Sequence, residues 1–158
     1  PEYTLALLRY VQPQLGQISA TIFDPAAGNG AILDIFEKQG YSVLARDLYT
    51  MSPATDFLKA LPPSLEEYDL MVLNPPFKYT QDFLRRALEI GAPFAQLMLA
   101  TSFCSIGVRD ALGDMPFDVV LLPRQHKFKH DGRMVSIHAC LWLVVTPQSS
   151  GRVLFASD

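Results

Sequence analysis

Residues 21–33 read TIFDPAAGNGAIL. Thr21 to Asp24 is a brief apolar strand, Pro25 to Gly30 is a turn of small residues, and Ala31 opens a helix that runs to Gln39 and closes at Gly40. Ser42 to Asp47 (SVLARD) then reads as a second strand. Strand, helix and strand in that order form the unit of a parallel sheet, because parallel neighbours need a long crossover and a helix supplies it. Gly28 and Gly30 let the backbone turn sharply and come close to a ligand, and the helix behind them offers free N–H groups to a carboxylate. Asp24 then faces a ligand's ammonium group. A Gly-x-Gly after a strand serves a nucleotide site or a plain tight turn equally well, so the turn alone names no ligand. Asp47, at the end of the second strand, stands where an acid takes both hydroxyls of a ribose.

The same alternation continues along the chain. Tyr3 to Val11 carries Leu5, Leu8 and Val11 at helical spacing, and Pro13 is expected to limit that helix. Ser52-Pro53 reads as a cap with proline at the first helical position, and Pro62-Pro63 breaks the chain before an apolar strand, Tyr68 to Leu73. Thr80 to Ile90 is amphipathic, with Phe83, Leu84, Ala87 and Leu88 on one face and Arg85, Arg86 and Glu89 elsewhere; Gly91 stops it. Phe94 to Ala100 is a buried-type strand, Ile106 to Leu112 a short helix, Phe117 to Leu122 a strand and Ala139 to Val145 the last strand. A polar, basic stretch of hairpin-like character, Pro123 to His138, joins the final two. The expected architecture is α/β: a mostly parallel, doubly wound sheet with helices on both faces and an antiparallel strand near the C-terminus, binding its ligands at the strands' carboxyl ends. The stretch between Asp47 and Asp56 is too short for a full helix plus strand, so the third strand of such a sheet is expected to be vestigial or missing.

Bulk properties restrict the function. At 158 residues, 49% hydrophobic and 18% charged, the chain reads as a single domain, 1–158, with a sizeable core. A net charge of −3 excludes a global basic field, so any nucleic-acid contact must be local. The two cysteines, Cys104 and Cys140, lie in apolar surroundings without metal-ligand spacing and read as buried free thiols of a reducing compartment. The three histidines have no ligand-like partners, so no metal is expected. The longest apolar run, Ala139 to Val145, falls far short of the roughly 20 residues that span a bilayer, and no signal peptide opens the chain, so no membrane association and a cytoplasmic location are expected. Trp142 reads as core.

Asn74-Pro75-Pro76-Phe77 follows the strand that ends at Leu73. A side-chain amide, two residues without backbone N–H and an aromatic face make a cradle for a flat, amino-bearing group. The plainer reading is an Asx turn with two loop prolines and a core phenylalanine.

Taken together, DPAAGNG and NPPF resemble the motifs of the S-adenosylmethionine-dependent class I methyltransferases that modify the exocyclic N6 amino group of adenine, with a Rossmann-like sheet. The resemblance covers roughly Pro1 to Val145. It implies S-adenosyl-L-methionine as cofactor, with Asp24, Pro25, Ala26, Gly28 and Gly30 around its methionine part, Asp47 with Leu48 at its ribose, and Asp56-Phe57 at its adenine. The opening helix is similar to the element that closes over the cofactor. Asn74, Pro75, Pro76 and Phe77 are implied as the catalytic set, with Asn74 also beside the cofactor: the Asn74 side-chain oxygen and the Pro75 carbonyl accept hydrogen bonds from the target amino group, and Phe77 stacks on the base. Positioning and carbonyl dipoles then supply the rate without a strong general base.

A base inside a duplex cannot reach such a pocket, so the substrate must be flipped, looped or single-stranded. Lys127, Phe128 and Lys129, with Arg124, His126, His130 and Arg133 beside them, read either as a grip on phosphate and base or as a solvated hairpin. The expected substrate is adenine in DNA, with RNA second. The side-chain amide of glutamine in a protein, which fits the same cradle and suits an acidic chain, is a third. A non-catalytic cofactor-binding subunit of a larger assembly is the reading from another class. The sequence has no room for a separate target-recognition domain, so a second copy, a partner subunit, a domain missing from this sequence or the substrate's own shape is expected to supply recognition.

Overall fold

The computed structural model describes residues 2–16, 19–48, 56–122, 128–130, 133–135 and 139–156, with side chains for all of these except the two short strands at 128–130 and 133–135. Helix α1 (Glu2–Leu15) precedes strand β1 (Thr21–Asp24), helix α2 (Leu33–Lys38) and strand β2 (Ser42–Ala45). Strand β3 (Leu70–Leu73), a 3-10 turn (Phe77–Tyr79), helix α3 (Thr80–Ile90), strand β4 (Phe94–Leu99) and helices α4 (Ala100–Phe103) and α5 (Ile106–Leu112) follow. The remainder is β5 (Asp118–Leu121), β6 (Phe128–His130), β7 (Arg133–Val135), β8 (Cys140–Val145) and β9 (Val153–Phe155).

Seven strands form one sheet in the order β2-β1-β3-β4-β8-β5-β9, and β6 and β7 make a separate antiparallel pair. The pairs β1/β2, β1/β3, β3/β4 and β5/β9 are parallel, whereas β8 runs antiparallel to both β4 and β5. This is the expected mostly parallel, doubly wound α/β sheet with its antiparallel strand near the C-terminus.

Strand alternation sorts the core into two layers, because successive side chains leave a strand on opposite faces. Ile22, Leu70, Val72, Ala95, Leu97, Val120, Trp142 and Val144 pack with Leu7, Leu8 and Val11 of α1 and Leu33 and Phe36 of α2. Phe23, Met71, Leu73, Phe94, Met98, Leu141 and Leu143 pack with Phe83, Leu84 and Ala87 of α3 and Val108 and Leu112 of α5. Trp142 is fully buried and donates from Nε1 to the Tyr3 carbonyl at 2.8 Å, as a core tryptophan needing one acceptor should.

Several boundaries differ from the sequence reading. Helix α1 runs through Pro13 to Leu15, since a proline close to a helix end forfeits little of the hydrogen-bond ladder beyond it. Its buried face is Thr4, Leu7, Leu8 and Val11, which leaves Leu5 exposed. Helix α2 starts at Leu33 rather than Ala31, because residues 31–32 still belong to the turn. Strand β8 is not the last: β9 adds to the edge beside β5. Cys140 is buried as expected, but Cys104 is exposed, because α4 interrupts the chain after β4 and turns that residue outward; neither cysteine is in a disulfide. No strand lies between β2 and β3 among the described residues, and the Ser52-Pro53 cap falls outside them.

Candidate active site

The parallel strands β1, β2 and β3 end on one edge of the sheet, and the segments leaving them enclose a cleft of about 780 Å3. Pro25, Ala26 and Gly28 line it after β1; Asp47 and Leu48 after β2; Asn74, Pro75, Pro76 and Phe77 after β3. Asp56 and Phe57 form a further wall. The sequence-derived cofactor and catalytic residues therefore converge, except that Asp24 and Gly30 do not line the cleft; of the expected substrate contacts, Phe77 lines it, while Phe128 and Lys129 belong to β6, outside this sheet.

The glycine turn is held by its own chain. Gly28 and Gly30 have φ of 55° and 78°, the left-handed region that glycine enters without strain, and no atom lies within 4 Å of where a Cβ on Gly28 would be. The Gly28 amide donates to Asp47 Oδ2 at 2.9 Å, Gly30 donates to the Ala27 carbonyl at 2.8 Å, and Ala31 donates to Asn29 Oδ1 at 3.3 Å. Beyond the β1/β2 ladder, Arg46 donates to the Asp24 carbonyl at 2.9 Å and Ala27 to the Arg46 carbonyl at 3.0 Å. The amides of Gly28, Gly30 and Ala31 are thus bonded within the chain.

Asp24 is 1% exposed, and its Oδ1 accepts from the Ala26 amide at 3.0 Å. Burial, reinforced by the charge of Asp47 and only partly offset by the Ala26 N–H, pushes its carboxyl up to about 7. A buried carboxylate is costly unless a cation joins it, so a ligand ammonium at this place would meet a ready partner.

The far wall, Asp56 to Leu61, is secured by side chains. Asp56 Oδ1 accepts from the Leu58 amide at 3.1 Å, and Phe57 packs on Phe83 with ring centroids 5.0 Å apart. Arg86, on α3, donates from Nε to the Phe57 carbonyl at 3.3 Å and from a terminal nitrogen to the Ala60 carbonyl at 3.0 Å. Arg46 donates to the Leu61 carbonyl at 2.7 Å.

At the end of β3, Asn74 is exposed, Pro75 buried, and Pro76 and Phe77 exposed. The Asn74 side chain has no hydrogen bond among the described residues, and neither does the Pro75 carbonyl. The Pro76 carbonyl differs, accepting from the Tyr79 amide at 2.8 Å as the 3-10 turn closes. Thr80 Oγ1 donates to the Phe77 carbonyl at 2.8 Å, and Gln96, buried in β4, donates from Nε2 to the Thr80 carbonyl at 2.8 Å. Phe77 is 40% exposed.

Tyr79 and Phe83 also line the cleft and were not singled out in the sequence. The local signal was an aromatic two residues beyond Phe77. No lining residue comes from α1, whose packing is against α2 and β5. Phe128 and Lys129 lie on β6, opposite Val135 and Met134 of β7, while Arg124, His126 and Lys127 fall outside the described residues. Among the described residues no His, Cys, Asp and Glu cluster could hold a metal, and no helix is long and apolar enough to cross a membrane.

No known family profile matches the chain, and no curated protein matches it either. Solved structures do. A Listeria monocytogenes protein assigned to the class I S-adenosylmethionine-dependent methyltransferases superimposes with a TM-score of 0.60 at 13% identity, covering 98% of this chain and 63% of its own. The modification subunit assigned to a type I restriction enzyme of Vibrio vulnificus gives 0.53 at 15% identity, covering 97% and 44%. Magnesium protoporphyrin IX methyltransferase of Synechocystis, with S-adenosylmethionine bound, gives 0.51 at 11% identity, covering 90% and 78%. The chain therefore spans less than two thirds of the length of the first two. Likeness at such identities defines the fold: that of the class I S-adenosylmethionine-dependent methyltransferases.

Proposed function

We propose that the chain is an S-adenosylmethionine-dependent N-methyltransferase acting on the exocyclic N6 amino group of adenine in DNA. The observation that supports this most is the state of Asn74 and Phe77: an exposed amide without a hydrogen-bond partner among the described residues and a ring that is 40% exposed, both lining a cleft that also holds the glycine turn and Asp47.

The residues present suit the cofactor. Asp24 is a buried carboxyl whose ionised form lacks a cation among the described residues, Gly28 leaves open space where a side chain would project, and Asp47, bonded to the Gly28 amide, lines the cleft beside it. Asp24 would hold the ammonium, Asp47 with Leu48 the ribose, and Asp56-Phe57 the adenine. The cofactor supplies an electrophilic sulfonium methyl.

The chain's own part is positioning. Asn74 Oδ1 and the Pro75 carbonyl accept both hydrogens of the target amino group, which turns its lone pair toward the methyl and stabilises positive charge as it develops on nitrogen. Phe77 stacks on the base, and the fixed φ of the prolines keeps the carbonyls in place. The extra proton leaves to solvent, since the product ammonium is strongly acidic. A second copy or a partner subunit is assigned the choice of target, with Lys127, Phe128 and Lys129 as local substrate contacts.

The test is incubation with isotopically labelled S-adenosylmethionine and, separately, duplex DNA, single-stranded DNA, RNA and cell-extract protein, then digestion and mass spectrometry. Label on N6 of adenine from DNA is the expected result. Label on glutamine or on RNA adenine transfers the activity to that polymer, and cofactor binding without label on any polymer makes the chain a non-catalytic subunit.

A further inference from the structure

A second depression, of about 500 Å3, borders the cleft, and Phe77 lines both. Its character is different. Where the cleft is walled largely by apolar side chains, this groove presents Lys78, Gln81, Asp82, Thr101, Ser102 and Ser105, contributed by the 3-10 turn, the start of α3, α4 and the residue before α5.

We propose that this groove seats the nucleotide joined to the target base, with Lys78 on the intervening phosphate. The inference rests on the adenine reading and names where the rest of the polymer goes. A flipped base turns about its backbone, so its sugar and phosphates stay at the mouth of the pocket, and a neighbour must lie within a few ångströms of the ring that stacks on the base. The groove lies across that one ring.

The chemistry of the lining fits. Lys78 is exposed and makes no ion pair among the described residues; its ammonium lies 4.6 Å from the Tyr79 ring centroid, free to donate outward. Thr101 and Ser102 add hydroxyls without side-chain partners among the described residues. Phosphate oxygens accept only, which suits this surplus of donors, while base amino groups suit Asp82, an acid of the lining.

The groove is also kept open by the sequence. Gln81 lies across Gly107 of α5 and donates to Ser105 Oγ at 3.4 Å; a Cβ at position 107 would come within 2.3 Å of Gln81 Oε1. Any side chain there would push Gln81 out into the space the nucleotide needs.

The experiment measures binding of a short, adenine-containing single-stranded DNA by fluorescence anisotropy across a salt series, with S-adenosylhomocysteine present. Lys78→Gln should weaken binding about fivefold at low salt and reduce the slope of log affinity against log salt by about 0.7, one phosphate contact on a single strand. Gly107→Ala should weaken binding while leaving the slope unchanged. Both variants should bind S-adenosylhomocysteine as the wild type does, which separates a groove effect from a folding defect. Wild-type affinity and slope for Lys78→Gln, in a protein that labels DNA adenine, overturn the groove and leave the adenine reading standing. No binding of DNA by the wild type, together with no label on adenine, overturns both.

Discussion

The Gly28 amide donates to the Asp47 carboxylate across 2.9 Å, so the acid that ends β2 braces the turn that follows β1. The residue proposed to hold the ribose therefore also shapes the backbone beside the methionine part. Asp47→Asn separates the two roles, because the amide oxygen still accepts from Gly28 while the charge is lost. Cofactor affinity should fall about tenfold to a hundredfold, the worth of a charge-assisted hydrogen bond, with the melting temperature nearly unchanged. Titration calorimetry with S-adenosylhomocysteine beside a thermal melt reads both quantities.

Asn74→Ala should lower kcat by on the order of a hundredfold to a thousandfold, the cost of losing one preorganised partner of a developing charge, and leave cofactor affinity within about twofold. Turnover equal to the wild type under single-turnover conditions would remove Asn74 from the mechanism.

Asp24 gives the folded protein a pH dependence. Its folded-state carboxyl, raised to about 7 chiefly by burial, keeps a proton that the unfolded chain releases near pH 4. The stability of the free protein should therefore decline as pH rises from about 4 to about 7 and then level off, whereas Asp24→Asn should flatten that span. Cofactor affinity should move oppositely, climbing toward a plateau above about pH 7 as the carboxylate becomes available to an ammonium. Denaturant melts and calorimetry over pH 5 to 8 test both directions.

Arg86 holds the Asp56-to-Leu61 wall at two carbonyls, where no described strand supports it. Arg86→Ala should raise the cofactor Kd about tenfold, equivalent to roughly 1.4 kcal/mol, with kcat at saturating cofactor unchanged. Arg86→Lys, which can reach one carbonyl but not fork to two, should fall between. A matching drop in saturated kcat would show that Arg86 acts beyond the wall.

Tyr10, Asp118 and Arg152 tie α1 to β5 and to the approach of β9. Asp118 accepts from the Tyr10 hydroxyl at 2.5 Å, from Arg152 at 3.0 Å and from the amides of Ser150 and Arg152. Burial works to raise this carboxyl, but those hydrogen bonds outweigh it and hold it well below the usual range, while burial and the neighbouring Asp118 push the Tyr10 hydroxyl up to about 12. Tyr10→Phe should cost about 2 kcal/mol near neutral pH, with the difference from wild type shrinking as acid protonates Asp118, at a pH below its ordinary titration range. Urea melts at two pH values check it.

These predictions draw unevenly on what the sequence made readable. Helices α3 and α5 were bounded correctly because their apolar spacing and the glycines behind them act locally. The convergence of Gly28, Asp47 and Asn74 was readable for a similar reason: each lies in the segment that follows a parallel strand, and parallel topology delivers such ends to one edge. The Tyr10 network was not, since its members stand 108 and 142 positions apart and nothing local marks them as partners. Strand β9 was missed because three residues with exposed Val153 and Phe155 lack the buried pattern that identifies a strand. The two arginine supports were invisible for want of periodicity: Arg46 and Arg86 read as solvated charges until the wall they hold is seen.

Gln96 stands in the middle of β4, fully buried, and its amide fixes the first carbonyl of α3. Through Thr80 and the Phe77 carbonyl that anchor reaches the tetrapeptide at the site. The Asn74–Phe77 segment is thereby moored to the deepest part of the sheet rather than borne on a loop free to wander. In hydrogen-exchange terms, the amides of Tyr79 and the first turn of α3 should open only when the sheet itself opens, so the site would persist until global unfolding and be lost with it.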